Sequence, residues 1–435
     1  MKNLLKYLVG AVIIAVPLYP KFPFLQIPFV SVSVRLEDFL ILLTVCVFLI
    51  TILPNVGDYL KKLDKSIFIF LAIGLISVLS GILITKTVIP VVGILHWVRR
   101  VEYMSMFFVG YAAIRNKEDL GFYIKCLALV VFVAFMVGIG QKYFDVPVIT
   151  TQNSEYAKGL ALRYLPGGHL VSTFAGHYDM AGYMVFVIPL LFALLFGKID
   201  ILKSLFNYKN VWVNRILILA PLIMAFWLLV QAASRISILS YLVSVTVVFV
   251  LIKRVRLIPI IIVLSIIFTG LSSNLVSRYL NIINVINTSV KEEISVYAAD
   301  VYAQTTLEDR STSIRLNVEW PRALRAFEKN IFLGTGYSSI TLATDNDYLR
   351  LLGEAGLLGF ISFMLVLANL IISKFNFVGD RDILSLDKLF VSSVLASIAG
   401  VLISMTFIDI LEASKFAITF WLMNGISMRL TKENA

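Results

Sequence analysis

Residues Ser66 to Thr85 read SIFIFLAIGLISVLSGILIT, twenty successive positions without a charge, closed off by Lys65 on one side and Lys86 on the other. A helix rises 1.5 Å per residue, so the run reaches about 30 Å, the depth of a bilayer's hydrocarbon core. Lipid offers no partner to exposed peptide groups, and a helix satisfies its own. Comparable runs lie on both sides. Before it come Leu4 to Pro20 and Leu36 to Leu53. After it come Ile89 to Ala113, Phe122 to Gly140, Tyr178 to Phe196, Ile216 to Gln231, Ile236 to Ile252, Leu257 to Ser272, Leu349 to Ser373, Leu389 to Phe407 and Leu411 to Met428. The expected fold is therefore all-α, a polytopic transmembrane helical bundle of about twelve spans filling residues 1–435 as one integral membrane domain.

Composition points the same way. The 435 residues are 59% apolar and 15% charged, with a mean hydropathy of +0.90, which leaves too little polar surface to clothe a soluble globule. A membrane β-barrel would show alternation in segments of about ten residues, and none is visible. The net charge of +11 is spread between spans instead of gathered on one soluble domain, which argues against a nucleic-acid partner. Cys46 and Cys126 both fall within apolar runs, and the three histidines form no pair at metal spacing. Neither a disulfide framework nor a metal site is expected. Pro20, Lys21 and Phe22 follow the first span without a small-x-small cleavage pattern, so it is expected to remain in place.

Basic residues mark alternate connections: Lys2 and Lys6; Lys61, Lys62 and Lys65; Arg115 and Lys117; Lys198, Lys203, Lys209 and Arg215; Lys253, Arg254 and Arg256; Lys374, Arg381 and Lys388; Arg429 and Lys432. Short cytoplasmic loops retain Lys and Arg, so both termini are expected in the cytoplasm. Two connections on the opposite face are long, residues 141–177 and 273–344, and long loops usually carry function. The second should hold an amphipathic helix from Thr312 to Lys329, with Ser311 or Thr312 as N-cap. Arg315, Arg322, Arg325 and Lys329 recur at helical spacing and are expected to share one face with Glu319.

Three polar clusters gather at the outer ends of the spans. Ser234 and Arg235 form the first; an Arg there either anchors at the interface or turns toward an anionic partner. The second is the basic stripe led by Arg315. Guanidinium groups hold phosphate through paired hydrogen bonds, though cations on such a helix can equally rest on lipid headgroups. The third runs from Asp345, Asn346 and Asp347 to Glu354, Gly356 and Gly359. A carboxylate at that point can take a proton from an incoming hydroxyl, or can simply start a helix. His177, Tyr178 and Asp179, with His169 nearby, could contact sugar hydroxyls or anchor the interface, and Arg163 offers a further phosphate contact. Arg99, Arg100 and Glu102, within the fourth span, should face the bundle with Glu102 partnering an arginine. His96 reads as a packing residue.

The ordered set Ser234-Arg235, Arg315 to Trp320, Gly334-x-Gly336, Asp345-Asn346-x-x-Leu349 and Glu354-x-x-x-x-Gly359 resembles the O-antigen ligase and polymerase superfamily. The stretch Arg315 to Phe360, RLNVEWPRALRAFEKNIFLGTGYSSITLATDNDYLRLLGEAGLLGF, is similar to that family's hallmark loop and following helix, within a segment spanning residues 311–374. TFAGHYDMAGY, Thr173 to Tyr183, and Arg35 to Asp38 resemble the starts of its sixth and second spans.

The resemblance implies a cofactor-free, metal-independent and inverting glycosyltransferase of the bacterial cytoplasmic (inner) membrane, with its active site facing the periplasm or cell exterior. Its donor would be a polyprenyl-diphosphate-linked glycan of the undecaprenyl kind and its acceptor a glycan or lipid. Membrane lipid and a chain-length regulator would be partners. By motif position Arg235 and Arg315 would bind the diphosphate, Asp345 would orient or deprotonate the acceptor, and Arg322, Arg325, Asn346 and Glu354 would line the substrate site. Ligases of the family carry His then Asn where this chain has Asp345-Asn346, which favours polymerisation over transfer to a lipopolysaccharide core, a protein or a wall polymer. A lipid or polysaccharide transporter is the rival from another class, but no paired repeat with broken helices is visible.

Overall fold

The computed structural model describes residues 2–433 other than 21–22, 27–32, 58, 60–63, 149–162, 167, 207, 209, 271–312, 342 and 380–383. A helix covers each of the expected apolar segments. They are α1 (Lys2–Leu18), α2 (Leu36–Ile52), α3 (Lys65–Leu83), α4 (Pro90–Ala113), α5 (Lys117–Tyr143), α6 (His177–Leu195), α8 (Val211–Gln231), α9 (Arg235–Leu251), α10 (Ile258–Gly270), α12 (Asp347–Gly379), α13 (Leu386–Ser404) and α14 (Ser414–Glu433). The short helices α7 (Ile199–Phe206) and α11 (Trp320–Lys329) lie between them. Among the described residues 7 helices are long and apolar enough to cross a membrane, and α1, α9 and α10 are shorter apolar helices. The all-α expectation needs one correction: β1 (Pro23–Gln26) and β2 (Ser33–Arg35) pair antiparallel ahead of α2. Four residues against three are too short to register as period-two alternation in sequence.

Helix starts follow local chemistry. Asp64, Asn116, Asn210, Ser234 and Ser385 each accept a backbone N–H from the first turn they precede, which satisfies one of the donors a helix leaves open there. Pro90 opens α4, where a missing N–H costs nothing.

Centre and rim separate by burial. Within their apolar stretches, 83% of α6 and of α13 is buried against 28% of α2. Accordingly α6 packs on α8, α9 and α13, while Leu42, Leu49 and Ile50 of α2 stay exposed to the lipid side. The most extensively packed pair, α4 with α14, meets through glycine. A Cβ on Gly110 would strike Leu422 O and one on Gly425 would strike Phe107 O, the close backbone approach typical of helices that associate in lipid.

The long helix α12 is broken at Gly356, with φ 68° and ψ −171°, a conformation essentially restricted to glycine. The break frees backbone groups, and the Gly334-x-Gly336 turn takes them up. Gly353 O and Glu354 O accept from Thr335 N (2.9 Å) and Gly336 N (2.8 Å), while Leu357 N and Leu358 N donate to Ile331 O (2.8 Å) and Phe332 O (3.1 Å). The expected single span from Leu349 to Ser373 is thus two helical pieces cross-linked to the loop before them. Gly356 serves this break and not only close helix approach.

The expected helix from Thr312 to Lys329 is also modified. Ser311 and Thr312, its N-cap candidates, lie outside the described residues. Arg315–Glu319 winds as a π turn in which Trp320 N bonds to Arg315 O, and α11 follows. Pro321 has no N–H to give to residue 317, so the regular ladder cannot run through this point. The four cations therefore do not share one face: Arg315 is buried, Arg322 half-buried, and Arg325 and Lys329 exposed.

Candidate active site

The π turn directs Arg315 inward. Its Nε and Nη2 donate to Asp345 Oδ2 at 3.1 and 2.7 Å, and Nη2 also donates to Tyr178 Oη at 3.3 Å. Arg315 is 10% exposed at its side chain and Asp345 26%, so the pair sits in a recess that a small group can still reach. Burial raises the Asp345 carboxyl above its ordinary value, and Arg315 pulls it only partway back. Burial opposes the Arg315 charge, but Tyr178 and Asp345 more than offset it. Glu319, on the same turn, is raised by burial and by Asp345.

Asp345 occupies the left-handed region at φ 49°, which Asp tolerates better than most residues. Its neighbours show what holds it there. Asp409, between α13 and α14, accepts Thr344 N (2.8 Å) and Asn346 N (3.0 Å) on either side of it, together with Arg350 Nη1 (2.8 Å). Asn346 caps α12 through Leu349 N and donates to Thr406 O. Asp347 is buried and accepts Ile410 N and Leu411 N. Of three successive polar residues, then, Asp345 faces the recess and the other two fasten the loop. Asn346 thus anchors the loop to the start of α12 and to Thr406.

Tyr178, near the start of α6, ties Arg315 to the first polar cluster. Tyr178 packs against the His177 ring at 4.0 Å between centroids, and His177 stacks on His169 at 3.7 Å. His169 Nδ1 lies 2.7 Å from Ala232 O, in the turn that leads into Ser234 and Arg235. Ala233 in that turn also has positive φ, 51°. Asp345 and Ala233 are two of seven non-glycine residues with positive φ among the described residues. Arg235 and Asp179 are half-buried at the starts of α9 and α6.

A second polar group lies deeper. Arg100 pairs with Glu412 and approaches Glu354 Oε2 at 3.7 Å and the Tyr337 ring at 4.3 Å; Arg350 links Asp409, Glu354 and Glu412. A cavity of about 40 Å³ borders Arg100, Asp347, Arg350 and Glu412, room enough for water. Glu354 is buried and accepts Ser338 N, which braces the broken helix. Arg99 has both Asp38 and Glu102 as carboxylate neighbours, and Arg100 pairs with Glu412.

Burial would raise the Glu412 carboxyl, but Arg100 and Arg350 hold it below its ordinary value. A depressed folded-state pKa gives stability that is present above the unfolded value and lost as pH falls toward the folded one. The melting temperature in detergent should therefore exceed that of Glu412→Gln above about pH 5, with the gap closing as pH falls below the ordinary Glu value of about 4.3. A gap independent of pH would remove Glu412 as the group responsible.

The remaining predicted residues are dispersed. Arg163 pairs with Asp145 and both are well exposed; Arg322 keeps a buried Nη1 without a hydrogen-bond partner among the described residues. Sequence reasoning missed Asp409, and also Lys415. The fully buried Lys415 ammonium donates to Pro17 O, Tyr19 O and Thr173 O, at 3.1, 2.7 and 2.6 Å, pinning the end of α1 to the stretch before α6. No group of three or more His, Cys, Asp or Glu that could hold a metal occurs among the described residues.

Residues 220–364 match a family model described as O-antigen ligase. The match encloses Arg235, Arg315 and Asp345 and leaves Tyr178 and Asp409 outside it. No curated protein matches the chain.

Proposed function

From the O-antigen ligase match over residues 220–364, we propose that this chain is a member of the O-antigen ligase and polymerase superfamily and transfers polyprenyl-diphosphate-linked glycans at the outer face of the cytoplasmic membrane. The reading extends to polymerisation: one lipid-linked glycan is donor, and a hydroxyl of another is acceptor. The Arg315–Asp345 pair supports it above all. A buried guanidinium and a partly accessible carboxylate of raised pKa, in one recess, are what such a transfer needs.

In this mechanism the donor diphosphate takes Arg315, with Arg235 as second guanidinium, and Asp345 is released. Asp345 Oδ2 accepts the acceptor hydroxyl proton as the oxygen attacks the anomeric carbon. The bond from that carbon to the diphosphate breaks, its electron pair leaves with the diphosphate oxygen, and the configuration inverts. Two guanidiniums supply the positive charge that metal ions supply elsewhere. The Asp at position 345 supports joining of repeat units over the ligase alternative.

The test is purified protein in lipid with a polyprenyl-diphosphate oligosaccharide and a chelator, with products separated by size. A ladder is expected, and Arg235→Ala should reduce its rate by about 10²- to 10³-fold, the scale of losing one preorganised group facing developing charge. Transfer only to an added lipid or protein acceptor would replace polymerase by ligase. Translocation of intact donor with no product under any acceptor condition would remove the enzyme reading.

A further inference from the structure

At the helix ends opposite the candidate site, a cleft of about 820 Å³ opens between the end of α6, the first half of α8 and the α9–α10 turn. Its charge is one-sided. Arg215, Lys253, Arg254 and Arg256 all line it, and no lining residue is acidic. Its lower wall is apolar, from Leu195, Phe196, Leu219 and Leu257.

Exposure shows which way it opens. Trp212, Ile216 and Leu219 are 71%, 57% and 40% exposed and descend one side of α8, so the cleft runs down the outside of the bundle for about 10 Å, seven residues at 1.5 Å each. Along α8 the basic Arg215 comes before the apolar Leu219, and the other three basic residues lie in the α9–α10 turn. Trp212 stands at the N-terminal end of α8, about one turn before Arg215 and Ile216, and Trp is a residue favoured at membrane interfaces. Arg215 lies 6.0 Å from the Trp212 ring, and its Nε is buried without a hydrogen-bond partner among the described residues.

We infer that this cleft binds an anionic glycerophospholipid, whose phosphate is held by Arg215, Arg254 and Arg256 while its glycerol and upper acyl carbons lie along Ile216 and Leu219. A soluble phosphate compound would use the rim and leave the apolar wall idle. A zwitterionic lipid would bring a choline or ethanolamine cation among four basic side chains. The volume far exceeds one phosphate and accommodates a lipid head group with its backbone. The inference is independent of the proposed glycan chemistry, since α8 and α9 carry the cleft at one end and the Ser234–Arg235 turn at the other.

The experiment is native mass spectrometry of the full chain from detergent, titrated with phosphatidylglycerol, cardiolipin, phosphatidylcholine or inorganic phosphate. The two anionic lipids should bind and survive activation. Arg254→Gln/Arg256→Gln should weaken phosphatidylglycerol binding by about 30-fold, the loss of two cation–phosphate contacts near a membrane surface. Both side chains are exposed, so the fold should tolerate their loss; a melting curve in phosphatidylcholine checks this, and the single variants carry the test if the double unfolds. Lys198→Ala/Lys203→Ala removes two exposed cations outside the cleft lining and should leave binding unchanged. Equal binding of phosphatidylcholine, displacement by inorganic phosphate, no anionic-lipid binding, or the same loss from the Lys198 and Lys203 pair would each overturn the inference.

Discussion

Asp345→Asn should give a folded protein that joins glycans about 10²- to 10⁴-fold more slowly, the range over which a positioned proton acceptor contributes. Asn is close in shape, still offers an oxygen to Arg315, and tolerates the left-handed backbone at φ 49°. The substitution therefore removes basicity and little else. Unchanged melting with lost turnover is the expected pair of results, read by thermal unfolding and by product formation on one preparation. A variant that kept a tenth or more of the wild-type rate would show that the carboxylate is not the proton acceptor.

The same assignment sets the pH response. A base works deprotonated, so activity should fall as pH drops through the Asp345 pKa, which burial has already raised. In the free enzyme Arg315 partly opposes that rise. Once a diphosphate draws Arg315 away and adds its own negative charge, the carboxyl must rise further. The acid limb of kcat, which reports the substrate complex, should lie at higher pH than the acid limb of kcat/KM, which reports the free enzyme. Both limbs should vanish from the residual activity of Asp345→Asn.

How much of this could be read from the residues depends on the range of the forces involved. Uncharged runs such as Ser66 to Thr85 define helices locally, and the helices found lie over the expected segments. The break at Gly356 was not readable: Leu-Gly-Glu-Ala-Gly-Leu suits a continuous helix, and the groups that satisfy the freed backbone come from Ile331 to Gly336, in a loop. The roles of neighbouring motif residues were equally hidden. Asp345 and Glu354 share one stretch of sequence, yet the first opens to a recess and the second is walled in by Arg100, Arg350 and Ser338. Asp409 gave no local signal, because its partners Thr344, Asn346 and Arg350 are brought to it by the packing of α12 beside α13. Arg315, Asp345 and Tyr178 carried their own signal in residue type and motif position, and those three are in contact.

Arg315→Lys should reduce turnover by at least about 10²-fold although the charge is kept. Arg315 uses Nε and Nη2 together on Asp345 and Nη2 on Tyr178, a planar fork that also matches two oxygens of a diphosphate; an ammonium is a point charge that cannot reproduce it. The loss should fall on kcat more than on KM if the fork grips the leaving group as its charge develops, since interactions made only in the transition state act there. Arg315→Ala and the Arg315→Ala/Asp345→Ala double variant then separate pairing from chemistry. Each single change leaves its partner exposed in a half-buried recess, so the double should melt less far below wild type than the two single shifts together predict. Turnover should behave differently: two groups acting in one step make the double about as slow as the slower single. If both melting and turnover were simply additive, the two side chains would be independent, and the shared recess would not be the site of transfer.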